Sequence, residues 1–89
     1  MAKKKSRKKA DPTVAGILGV GLDGGDGHKR VTRTEEMVLV GGSAETHERM
    51  QETAIKFSEE LEKRGKALPQ TTAREAMDLL HEAIRRVGR

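Results

Sequence analysis

Two hydrophobic rhythms divide the chain. In the first half, Leu18, Val20 and Leu22 alternate with Gly19 and Gly21, the period-two pattern of a strand with one apolar face. The glycines leave the other face bare, which in a strand marks close backbone approach or a bulge. Residues 28–34 (HKRVTRT) mix β-branched side chains with cations and predict an exposed strand. Residues 37–42 (MVLVGG) form a short apolar run that fits a buried strand. The intervening "TEE" is a poor turn, so these two runs also read as one long bent strand.

The second half changes to helical spacing. His47, Met50, Ala54, Phe57 and Leu61 recur three or four residues apart and share one face. Ser43 is a natural N-cap, Glu45 sits where the helix dipole favours an anion, and Gly65 suits the position just past the end. A helix is predicted over about 44–64. Glu45–Arg49, Glu52–Lys56, Glu59–Lys63 and Glu60–Arg64 have the i,i+4 spacing of acid-to-base pairs. After Pro69, "TARE" (72–75) is a capping box that opens a second helix over about 73–87. Its apolar set, Ala76, Met77, Leu79, Leu80, Ala83, Ile84 and Val87, is wider than one neighbouring helix requires. It fits contact with helix one and the sheet together, or with a second copy of the chain.

The expected architecture is α+β: a small antiparallel hairpin or three-stranded sheet over about 16–41, then two antiparallel helices. Residues 13–89 form one small domain, and residues 1–12 are a disordered basic arm, where like charges repel and nothing apolar is available to bury.

Composition sharpens this picture. With 89 residues and no cysteine, there is room for a modest core but no disulfide, thiolate metal site or cysteine nucleophile. One Phe, no Tyr and no Trp argue against base stacking of the kind single-strand binders use. The net charge of +4 is unevenly placed. Six of the 18 Lys and Arg lie in residues 3–9, leaving 12 against all 14 acids, a net of −2 for the rest. No stretch approaches the roughly 18 apolar residues of a membrane span. The basic run followed by "VAGILGVGL" imitates a signal peptide, but Asp11–Pro12 interrupts it and no cleavage site follows. A cytoplasmic location is expected, nuclear if the host is eukaryotic.

The glycine-rich stretch "LDGGDGHKR" (22–30) invites a nucleotide reading. A P-loop ends in G-K-[ST] before a helix; here Gly27 precedes His28, and a strand follows. Gly19, Gly21 and Gly24 meet the letters of the dinucleotide fingerprint but open no helix. The EF-hand spacing of carboxylates is absent. A strand connection is the simpler reading. Gly41–Gly42 ahead of Ser43 place free amides at a helix N-terminus, where an anion would be favoured, although Ser43 as an ordinary cap explains the same residues. His28, His47 and His81 lie on separate elements without metal-ligand spacing, and Ser43 and His47 stand one helical turn apart with no strained elbow to make a triad.

No cofactor, metal or catalytic centre is therefore expected. The expected role is non-enzymatic binding of nucleic acid, RNA or DNA, without sequence preference, or of an acidic protein surface. The contacts would be Lys3, Lys4, Lys5, Arg7, Lys8 and Lys9 for phosphates, with Lys29, Arg30 and Arg33 as a second basic patch. The alternative is a protein-interaction or regulatory module, alone or as a homodimer, whose interface is Met77, Leu80, Ile84 and Val87 on the second helix.

Overall fold

The computed structural model describes residues 12–88. Strands β1 (Ile17–Gly21), β2 (Val31–Arg33) and β3 (Met37–Gly41) precede helix α1 (Ala44–Lys63), a 3-10 turn (Leu68–Gln70) and helix α2 (Ala73–Gly88). The architecture is α+β, with one sheet and one layer of helices.

Strand direction differs from a simple meander. The sheet has three strands in the order β1–β3–β2. β2 and β3 form an antiparallel hairpin, whereas β1 runs parallel to β3, with Ile17 opposite Met37 and Gly21 opposite Gly41. The hairpin turns the chain back on itself, so β3 enters beside β1 in β1's own direction. Residues 28–41 are not one bent strand. The Thr34 hydroxyl accepts from the amides of Glu36 (3.2 Å) and Met37 (2.9 Å), and the Thr34 amide donates to the Met37 carbonyl (2.8 Å). A side chain that satisfies turn amides makes "TEE" a tight turn.

The helix signals operate locally. The Ser43 hydroxyl accepts from the Thr46 amide at 3.2 Å. At the other end Gly65 takes φ +65°, its amide donates to Glu62 O, and the Lys66 amide donates to Leu61 O; this is the Schellman arrangement. The Thr72 hydroxyl caps Glu75 N at 3.1 Å. The reciprocal half of that capping box is replaced, because the Glu75 carboxylate accepts from Lys66 Nζ at 2.9 Å. Of the four anticipated i,i+4 pairs on α1, Glu45–Arg49 is formed, at 3.6 Å. Lys56 turns to Glu59, Lys63 and Arg86 turn to Glu60, and Arg64 turns to Glu75. The cross-helix pairs and the meeting of Ile55 with Val87 set α1 and α2 antiparallel.

The core lies between helices and sheet. Phe57 and Ala83 are fully buried, and Met37, Leu39, Ala54, Leu61, Leu68, Ala76 and Leu79 join them. Gly19 faces this layer: a Cβ there would stand 3.1 Å from Leu39 Cδ2 and 3.7 Å from Met50 Cε. Gly19 and Gly21 of β1 therefore share the inward face with Ile17, where α1 approaches, while Leu18 and Val20 point outward.

Candidate functional site

The stretch 22–30 crosses the start of α1, and glycine makes that crossing possible. A Cβ on Gly21 would stand 2.6 Å from Gly42 Cα, and one on Gly24 would stand 2.9 Å from Gly42 O. Gly42 itself has φ +86°. Two of the three glycines that imitate a dinucleotide fingerprint, Gly21 and Gly24, thus pack backbone against backbone.

Asp23 then occupies the helix N-terminus. One carboxylate oxygen accepts from Ser43 N (2.9 Å), the other from Ser43 Oγ (3.1 Å) and Thr46 Oγ1 (2.6 Å). These bonds, led by that from Thr46, hold the Asp23 carboxyl below the usual carboxylate range. The site does bind an anion: its own aspartate, delivered from 20 residues upstream. Asp26 braces the remainder. It accepts from Arg30 Nη1 (3.2 Å), Arg30 Nη2 (2.9 Å) and the His28 amide (3.1 Å), and the Arg30 fork lowers its pKa to about 2. Arg30 Nη1 also donates to Gly42 O at 3.1 Å.

A shallow polar groove of about 520 Å³ opens between β2 and the first turns of α1, with Lys29, Thr32, His47, Glu48 and Gln51 on its walls. His47 is buried beneath it. Its Nδ1 lies 2.8 Å from Gly41 O, which can only accept, so Nδ1 carries a proton. Nε2 lies 2.8 Å from Thr32 Oγ1, which also accepts from Gln51 Nε2 at 2.9 Å. These partners make His47 a pin between β2, β3 and α1. Ser43 Oγ is bound to Asp23 and His47 to Thr32, so the two do not assemble as nucleophile and base. Among the described residues no group of three His, Asp or Glu side chains is placed to hold a metal.

Lys3, Lys4, Lys5, Arg7, Lys8 and Lys9 lie outside the described residues. Lys29 is exposed beside the groove, while Arg30 is half-buried and engaged by Asp26. Arg33 is exposed, and strand alternation sends it to the side of β2 opposite Thr32. Arg30 is thus committed to Asp26, while Lys29 and Arg33 remain exposed. On α2, Met77, Leu80 and Ile84 flank an apolar trough against Ile17 and Leu18 of β1, with Leu80 half-buried against the core. Val87 faces a separate groove with Ile55.

A second apolar surface lies elsewhere, on the outer face of the sheet. Leu18 (65% exposed), Val20 (56%) and Val31 (55%) surround the β3 side chains Val38 and Val40, and Leu22 extends the surface beyond the end of β1. Of the six outward strand positions, Arg33 at one corner is charged. Sequence reading located the alternation in β1 but not which face the helices cover. The signal was available in the glycines: a helix approaches closest where Cβ atoms are missing. No family model, curated protein or solved structure significantly matches this chain.

Proposed function

We propose that this protein is a non-enzymatic binding module whose folded body docks on another protein surface through the outer face of its sheet. The observation that carries this reading is that face: Leu18, Val20, Val31, Val38 and Val40 in one contiguous layer. A sheet whose second face meets water normally alternates apolar and polar side chains along each strand, whereas strands buried on both faces are apolar throughout. The segment "MVLV" of β3 follows the second pattern, while the described residues cover only one of its faces. Contiguous apolar surface of this kind marks protein contacts. A photo-crosslinking residue in place of Val31 should capture a protein in cells, while the same residue in place of the exposed His81 should not. Equal capture at both positions, or at neither, removes this reading.

A second reading rests on a different feature, the six cations of residues 3–9. We propose that Lys3, Lys4, Lys5, Arg7, Lys8 and Lys9 contact nucleic-acid phosphates without sequence preference, with Lys29 and Arg33 as weaker additions. Each neutralised phosphate releases counterions, so affinity for RNA or duplex DNA should fall steeply with salt. Removal of residues 1–10 should abolish that dependence. Binding that survives the truncation, or no binding near physiological salt, excludes the basic run as a phosphate contact.

A further inference from the structure

We infer that the occupant of the outer sheet face is a second copy of this chain, packed sheet against sheet across a two-fold axis; the inference rests on the protein-docking reading above. Three observations select this occupant.

The first is the chemistry of the face. A two-fold contact is isologous, so each surface must complement itself. Val38 and Val40 on the central strand, flanked by Leu18, Val20 and Val31, present apolar side chains with no charge among them. Such a layer meets its own copy without like-charge repulsion, at the usual spacing of about 10 Å between packed sheets. Arg33 stands at the rim, where an interface tolerates a solvated charge.

The second concerns the rest of the chain. Beyond the described residues lie 1–11 and 89. Residues 1–11 carry six cations, and Met1 is their one large apolar side chain; such a segment does not cover an apolar sheet. The chain also enters the described body on the helical side: Pro12 O accepts from Ala73 N, and Val14 N donates to Thr71 O. Pairing through the outer face therefore leaves Pro12 of each copy on the helical side, away from the contact.

The third is size. A sheet of this kind measures about 14 by 17 Å, from strand spacing and rise. With its side chains and Leu22, two such faces bury on the order of 1,000 Å² in total, the small end of specific interfaces. An interface of that size belongs with reversible contacts rather than obligate ones.

The test is sedimentation of the full chain from about one micromolar to several hundred micromolar, with Val20→Lys, Val31→Lys and Ile84→Lys variants. All three positions are exposed, and circular dichroism verifies each fold; either outer-face variant suffices if the other unfolds. The expected result is a concentration-dependent dimer for wild type and Ile84→Lys, weakened at least tenfold in the two valine variants. A chain that stays monomeric throughout, a dimer indifferent to both valine changes, or one broken instead by Ile84→Lys overturns the inference. If the chain is monomeric while Val31 still crosslinks to a different protein in cells, the docking reading stands and only the identity of the partner falls.

Discussion

The two faces of one sheet tell different stories. Inward, Met37 and Leu39 of β3 are 3% exposed beneath the helices, and Gly19 lets α1 approach β1. Outward, Leu18, Val20 and Val31 keep more than half of their surface, though their chemistry is no less apolar. Burial, not composition, separates the faces. Apolar side chains on the covered face hold the monomer together, while the same kind of side chain on the open face is available for association. Substitution should therefore have opposite consequences on the two sides.

The largest effect is expected inside. Leu39→Ala removes a buried side chain from between β3 and α1 and should cost about 2–5 kcal/mol, measurable by urea denaturation. On the outer face, Val20→Lys should change monomer stability by no more than about 0.5 kcal/mol at low concentration. Equal costs would erase the distinction between the faces. Next in size is the backbone crossing at the end of β1. Gly21→Ala drives a Cβ to within 2.6 Å of Gly42 Cα, and its overpacking should cost about 1–3 kcal/mol by the same assay. A neutral result would mean that the crossing can open without loss. Ser43→Ala removes the α1 cap and should cost about 1 kcal/mol.

The smallest effect is a matter of pH. Asp26, lowered to about 2 by Arg30, and Asp23, lowered by Thr46 and Ser43, are both depressed from the ordinary 3.8. A depressed carboxylate stabilises the fold above its unfolded-state value, and that contribution is lost as pH falls through the folded-state value. Exchange of the Ser43 and His28 amides should thus accelerate, after correction for intrinsic rates, as pH falls from about 4 towards 2. It should be flat from about pH 5 to 8. In Asp23→Asn the acid step at Ser43 should vanish while that at His28 remains.

Much of the fold was legible because its signals are local. The cap at Ser43, the Gly65 terminator, Thr72 before α2 and the apolar stripe through Phe57 each act within a few residues. What the sequence hid depends on distant partners. Asp23 caps α1 across 20 residues, and Arg30 reads as a free cation until Asp26 and Gly42 O engage it. The parallel pairing of β1 with β3 follows from a turn that the Thr34 side chain makes possible. The surroundings of the α2 stripe also depend on distant partners. The wide stripe of α2 drew attention to Met77, Leu80, Ile84 and Val87, yet Leu80 joins the core margin and Val87 faces another groove. Which side of β1 would be left open depended on where the helices settle, and only Gly19 and Gly21 foretold it.

Because the natural chain has no cysteine, a single thiol reports one surface without interference. The most direct measurement is the rate at which a maleimide labels Val31→Cys, compared with Ile84→Cys, as protein concentration rises from about one to several hundred micromolar. Coverage of the outer sheet face by a second copy predicts at least tenfold slower labelling at Val31→Cys at the high end, with Ile84→Cys unchanged. Labelling of both at rates independent of concentration would contradict it.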